Sequence, residues 1–238
     1  MKLAPLVLLA SLAGPAAAVD YCLLMDVTGD HCGDAGGGTA KNVDIDGGDY
    51  EIGKGKYEVQ NLRIGVTGVG TLVQNGGNNT VSQTLALGRY SASQGSYMLV
   101  AGLLVTDQSL VGVNGRASFQ QIGGAHLAGT QLAVGSDAVY GLLGGSLTAG
   151  SLSVLGRFNQ FGGTSLVTGA LDVSYADLQL AGGLLTVGGS ASFSHASLVM
   201  SGGELRALQG LDIGGAYTDA GVDGNNDGRL STDDHLSV

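Results

Sequence analysis

Short runs of alternating apolar and polar residues fill most of this chain, and the runs recur. A Gly-Gly pair punctuates them, with its first glycine at Gly47, Gly76, Gly123, Gly144, Gly162, Gly182 and Gly202, and an Ala-Gly variant begins at Ala101. Four residues before each pair stands an apolar residue: Val43, Leu72, Tyr97, Phe119, Tyr140, Phe158, Leu178 or Leu198. Two before stands Ile45, Gln74, Leu99, Gln121, Leu142, Gln160, Leu180 or Met200. Further alternating pairs follow, among them Leu62 and Ile64, Leu85 and Leu87, Leu132 and Val134, Leu152 and Val154, Leu171 and Val173, and Leu211 and Ile213. Period-two alternation between turn residues predicts strands. The interval tightens from 29 residues (Gly47 to Gly76) to 20 (Gly182 to Gly202). Three short strands and their glycine turns within such an interval make one coil of a parallel β-helix. The expected fold is all-β, a parallel β-helix of about eight coils over 41–215. At a strand separation of ~4.8 Å that is a rod roughly 35–40 Å tall.

Composition narrows the alternatives. Gly supplies 44 of 238 residues, and proline occurs only at Pro5 and Pro15. A helical bundle is excluded because each Gly costs about 1 kcal/mol in a helix relative to Ala. Collagen needs Gly at every third position and abundant proline. Disorder conflicts with a hydrophobic content of 44%. An antiparallel sandwich would also alternate, but it gives no reason for the same side-chain types to return at the same offset. A lone coil cannot seal its own apolar interior, so the repeats must stack.

The stretch from Leu62 to Gly88, LRIGVTGVGTLVQNGGNNTVSQTLALG, resembles a repeat of exported bacterial proteins that reads roughly L-x-I-G-x-x-G-x-G-T-x-x-Q-x-G-G-x-x-x-V-x-x-x-L-x-L-G. GRASFQQIGGAHLAGTQLAVG and GRFNQFGGTSLVTGALDV match it more loosely. Those repeats belong to β-helical surface and extracellular proteins, including PEP-CTERM-associated chains and autotransporter-like passengers. The resemblance spans 43–214. It implies export and a parallel β-helix without specifying a ligand. The chain departs from such proteins in having no Pro-Glu-Pro, C-terminal apolar helix or basic tail, so the resemblance does not extend to membrane sorting.

The N-terminus agrees with export. Lys2, the apolar stretch from Leu3 to Ala13 and the Ala16-Ala17-Ala18 site read as a signal peptide over 1–18. Residues 19–40 are expected to cap the helix. Cys22 and Cys32, the only cysteines, most simply form one disulfide in an exported chain. Free thiols, or a metal shared with Asp30, His31 and Asp34, are the alternatives. The expected location is secreted, extracellular or on the cell surface, with no stable membrane span in the mature chain.

Charge is sparse and uneven. Nine acids lie between Asp20 and Glu58, and five between Asp219 and Asp234. Net charge is −10, and −11 once Lys2 leaves with the signal peptide. This argues against nucleic acid as a partner.

Few residues in the repeats invite chemistry. Gln74, Gln121 and Gln160 share one repeat position and are expected to satisfy turn carbonyls, with an interrupted glycan-binding row as the alternative. His126 and His195 stand at unrelated offsets and read as solvated loop residues. Arg116 and Arg157 follow glycines at what read as equivalent positions. Asp107, Asp137, Asp172 and Asp177 share no offset, so no catalytic acid/base pair is visible.

The expected function is therefore a noncatalytic structural or adhesive protein with an extracellular polysaccharide, matrix or surface component as ligand. The alternative is a carbohydrate-active β-helix enzyme, a polysaccharide lyase or glycoside hydrolase. The acidic segment 216–238 adds one expected cofactor, Ca²⁺. Asp223, Asn225 and Asp227 occupy positions 1, 3 and 5 of a twelve-position calcium loop. Gly228 is at 6, Arg229 offers its carbonyl at 7, Ser231 is at 9 and Asp234 at 12. The pattern is similar to one half of a dockerin module and to an EF-hand loop.

Overall fold

The computed structural model describes residues 40–214 and 229–231. Strand β1 (Ala40–Ile45) leads into eight coils. The first four coils are β2 (Gly48–Ile52) with β3 (Lys56–Ile64), β4 (Val69–Gln74) with β5 (Asn78–Leu87), β6 (Gln94–Leu99) with β7 (Leu103–Val111), and β8 (Arg116–Gln121) with β9 (Ala125–Val134). The last four have three strands each. They are β10 (Ala138–Leu142), β11 (Ser146–Ala149) and β12 (Leu152–Val154); β13 (Arg157–Gln160), β14 (Thr164–Val167) and β15 (Leu171–Ser174); β16 (Asp177–Leu180), β17 (Leu184–Val187) and β18 (Ala191–Ser194); and β19 (Ser197–Met200), β20 (Glu204–Ala207) and β21 (Leu211–Gly214). A last strand, β22 (Arg229–Ser231), lies against β20.

Each coil pairs in parallel with the next, so the described body is a parallel β-solenoid. The first strand of every coil belongs to one eight-stranded sheet, and the remaining strands form a second. Among the described residues only β22 runs antiparallel, pairing Leu230 with Leu205. The early coils have two strands because β3, β5 and β7 run continuously around a corner, marked by register shifts such as that between Val81 and Thr84. From β11 onward the same corner breaks the strand in two, Gly150 and Ser151 being the first such break.

Alternation decides what the interior holds. One inward column of the first sheet runs Leu72, Tyr97, Phe119, Tyr140, Phe158, Leu178 and Leu198, all buried. Its aromatic rings stack coil on coil, with centroids 4.9 Å apart for Tyr97–Phe119, 4.7 Å for Phe119–Tyr140 and 5.4 Å for Tyr140–Phe158. The separation is close to that of neighbouring strands, so the hydrogen-bond ladder itself places each ring on the last.

The two glycines of each pair do different work. Gly183 has φ +80, a region costly for a side chain, and a Cβ there would lie 2.3 Å from the Gly163 carbonyl oxygen. Gly182 has an ordinary φ, but its Cβ would meet the Phe161 carbonyl oxygen at 2.6 Å.

The first coil begins later than the glycine spacing suggests. That spacing equates Val43 and Ile45 with Leu72 and Gln74. The structure pairs Val43 with Leu62 and Ile45 with Ile64, on the other sheet. Tyr50 and Ile52 hold the positions of Leu72 and Gln74, so Gly53 to Gly55 forms the matching corner. An apolar-x-apolar run followed by glycine occurs at two corners of one coil, and the motif alone does not distinguish them. With Ile52 in place, the anomalous first interval becomes 22 residues (Ile52 to Gln74).

Residues 1–39, with the expected signal peptide and Cys22–Cys32 bridge, lie outside the described residues, as do Asp223, Asn225, Asp227, Gly228 and Asp234. No helix among the described residues is long and apolar enough to cross a membrane.

Candidate binding groove

Most polar side chains that stand out in the repeats are consumed by the core. Gln74, Gln121 and Gln160 are each fully buried. Their amides bracket two coils: Gln121 Nε2 donates to the Gly124 carbonyl at 3.3 Å and to the Ser146 carbonyl of the next coil at 2.9 Å. Gln74 and Gln160 do the same toward Gly77 and Leu103, and toward Gly163 and Leu184. The expectation of turn-satisfying glutamines therefore holds, and a surface row of glutamines for a glycan is overturned by their burial.

His126 corrects another expectation. It is 0% exposed, stacked 5.0 Å from Phe119, and not a solvated loop residue. Tyr140 donates its hydroxyl proton to Gln121 Oε1 at 2.7 Å, so it accepts from His126 Nδ1 at 3.0 Å. His126 Nε2 is then an acceptor for Ser109 Oγ at 3.0 Å, and Ser109 is within 2.8 Å of Thr106 Oγ1. The donor chain fixes a neutral imidazole. Burial pushes its pKa down to about 3 and raises those of Tyr97 and Tyr140 above the ordinary tyrosine value. A Ser–His contact of this length suits a nucleophile and base, but both residues are sealed from substrate.

Arg116 and Arg157 are not equivalent either. Arg116 pairs with Gln94, whereas Arg157 pairs with Val139, which itself pairs with Ser118. Only 18 residues separate Phe158 from Tyr140, and the shortened corner moves Arg157 two places along the strand. Asp107 accepts from the Thr130 hydroxyl, and Asp172 from the Ser174 hydroxyl. Asp46 closes a loop by accepting from the backbone amides of Val66, Thr67 and Gly68 and from the Thr67 hydroxyl. Burial raises its pKa, the four hydrogen bonds lower it, and the net direction is down. Among the described residues no group of three or more His, Cys, Asp or Glu could hold a metal ion.

One surface feature gathers unlike groups. An open groove of about 590 Å³ runs along the corner between the end of one coil and the start of the next. Leu155, Tyr175 and His195 form one side. Arg157, Asp177 and Ser197 form the other, in register on β13, β16 and β19. Gly156, Ala176 and Ala196 lie between them, and their small size leaves the groove open. Arg157 Nε stands 3.5 Å from Asp177 Oδ2, both side chains being more than half exposed. Such a surface pair contributes about 0–1 kcal/mol and is free to exchange partners.

Tyr175 and His195 are the only non-glycine residues with positive φ among the described residues, at 52° and 51°. Each such residue costs roughly 1–3 kcal/mol. Their rings stack at 4.8 Å and 7°, with Tyr175 75% exposed, and the Ser194 hydroxyl lies 3.2 Å from His195 Nδ1. The strained residues are thus the two exposed rings of the groove. The sequence carried the signal: VSYAD and FSHAS set Tyr175 and His195 at the same offset after Val173 and Phe193, and β15–β18 pairing aligns them. Comparison with protein-family models, with curated proteins and with solved structures finds no match to this chain.

Proposed function

We propose that the chain is a secreted, noncatalytic structural and adhesive β-helix protein that holds an extracellular polysaccharide or surface component along this groove. The observation that carries the reading is the pair of parallel residue columns, Leu155, Tyr175 and His195 with two stacked rings, and Arg157, Asp177 and Ser197 with an exposed ion pair. Their spacing follows the strand separation of ~4.8 Å, which exceeds the ~3.3 Å rise of an extended peptide and is nearer the length of one pyranose unit. Arg157, Asp177 and Ser197 supply a donor fork, a carboxylate acceptor and a hydroxyl to ring substituents. A glycan-array screen of the secreted chain tests it: binding to a linear polysaccharide supports the reading, and a blank array opposes it.

One observation favours the second reading, a polysaccharide lyase. A phenol, an imidazole and a guanidinium line one groove, and β-elimination from a uronate needs a base and a cation to neutralise the carboxylate. The unsaturated uronate chromophore, formed on adding the protein to acidic polysaccharides, would establish it. Among the described residues Asp177 is the only carboxylate lining the groove, which does not suit a two-carboxylate glycosidase.

The reading includes export through residues 1–18, a Cys22–Cys32 bridge in the N-terminal cap, and one Ca²⁺ held by Asp223, Asn225, Asp227, the Arg229 carbonyl, Ser231 and Asp234. The supports are the residue pattern and the antiparallel attachment of β22 to the last coil.

A further inference from the structure

A second surface is built from different residues. At the turn after each strand of the first sheet, one side chain points away from the core: Val100, Ile122, Leu143 and Phe161 in four successive coils. Ile122 and Leu143 are each 45% exposed and Phe161 is 50% exposed. Backbone hydrogen bonds hold the rungs in line, from the Ile122, Leu143 and Phe161 amides to the Leu99, Gln121 and Leu142 carbonyls of the preceding coil. The result is an apolar ridge parallel to the solenoid axis. Beside it run the glycine pairs from Gly123 to Gly183, a strip without side chains. Beyond the strip stand Leu127 and Leu166, also exposed.

No Asp, Glu, Lys or Arg occurs in the segments that form this wall, residues 97–106, 117–128, 138–149, 158–171 and 178–191. Scattered exposed apolar residues are ordinary; an aligned, uncharged row of them on a chain of net charge −10 is not.

We infer that this ridge is the self-association face of the protein, occupied by a second copy of the chain. Three observations select that partner. Two copies carrying −10 each repel, and a charge-free wall is where they can approach. Apolar rungs spaced one coil apart fit best against a surface with the same coil spacing, which another copy carries. The ridge and the bare glycine strip are also complementary to each other. A two-fold axis parallel to the solenoid axis lays each ridge in the other copy's strip, Leu143 of one against Gly144 of the other, whereas an axis across the solenoid would set ridge on ridge. The interface is therefore isologous, with the two solenoids side by side and parallel. Three of the four rungs, Val100, Ile122 and Leu143, are aliphatic, whereas a sugar stacks on aromatic faces.

Five coils by the width of the wall give roughly 500 Å² per partner, below the ~800 Å² of a standard interface, so the dimer is weak and concentration-dependent. Sedimentation velocity of the secreted chain over a rising concentration series is the test. The expected result is a monomer–dimer equilibrium that tightens as salt rises, because screening removes the repulsion and leaves the apolar contact. Leu143→Lys with Phe161→Lys should weaken it at least tenfold, while Ser153→Lys on another face should change it less than twofold. Should the lysine variant fail to give a native circular dichroism spectrum, Leu143→Ser with Phe161→Ser serves in its place with the same expectation. A monomer throughout the series, a dimer untouched by the ridge variants, or a dimer weakened by rising salt would overturn the inference. Loss of the dimer with glycan binding intact would leave the groove reading standing, since the two surfaces share no residue.

Discussion

Lowering the pH from neutral should destabilise this solenoid through one residue, His126, before the carboxylates take part. In the unfolded chain an imidazole takes up a proton near 6.5. In the folded protein burial holds that proton off until about pH 3. Between those values the unfolded state binds more protons than the folded one, so stability falls as pH falls. At pH 5 the imidazole should cost about 2 kcal/mol relative to pH 7, since each unit below the unfolded value is worth about 1.4 kcal/mol. By pH 3 the loss should reach about 4 kcal/mol. Asp46, whose pKa is depressed in the folded state, contributes above its ordinary value of 3.8 and loses that contribution as pH falls through and below it. The window from about 6.5 to 5 therefore isolates His126. A fitting control is His126→Asn, because Asn79 holds the same inward position two coils earlier and donates to Tyr97 as His126 does to Tyr140. Urea unfolding of both proteins at pH 7 and pH 5 gives the answer by subtraction. A wild-type loss no larger than that of His126→Asn, or an imidazole NMR signal from His126 titrating near 6.5, would refute the reasoning.

Two further outcomes follow from the geometry and a third from the residue pattern of 223–234. Gly183→Ala should destabilise the fold by at least 1 kcal/mol, roughly the cost of a strained positive φ before any clash with the Gly163 carbonyl, and thermal melts would register it. Tyr175→Gly should do the reverse, raising stability by about 1 kcal/mol through relief of the φ of 52° while abolishing glycan binding; a melt and a binding assay on one variant check both. Calorimetry should detect one Ca²⁺ per secreted chain, with the heat removed by Asp223→Ala.

The coil was legible in the sequence because strand period and glycine pairs depend on local geometry alone. Positions such as Gln121 were legible too, since a polar residue at an otherwise apolar offset must satisfy something nearby. The burial of His126 was readable only by counting from the second glycine, where Asn79, Leu104, His126 and Leu147 fall at one inward position. Viewed as a lone histidine it carries no such signal. The start of the first coil misled because Gly47-Gly48 and Gly53 to Gly55 follow similar apolar runs, and only pairing across sheets separates them. The groove was the least legible part. Its two sides come from residues that end one coil and begin the next, and the shortened corner before Arg157 means that its resemblance to Arg116 misleads, while its true partners Asp177 and Ser197 are unlike it in type.

The central claim is that the groove holds an extended polysaccharide without cleaving it. Affinity of the secreted chain for a size series of one oligosaccharide tests this most directly, because Ser136, Leu155, Tyr175 and His195 place the groove across four successive corners. The account predicts affinity that climbs with length to about four sugar units at a coil spacing of ~4.8 Å and then levels off, with the oligosaccharides recovered intact. Equal affinity for a single sugar and the polymer, or shortened products in the recovered material, would contradict it.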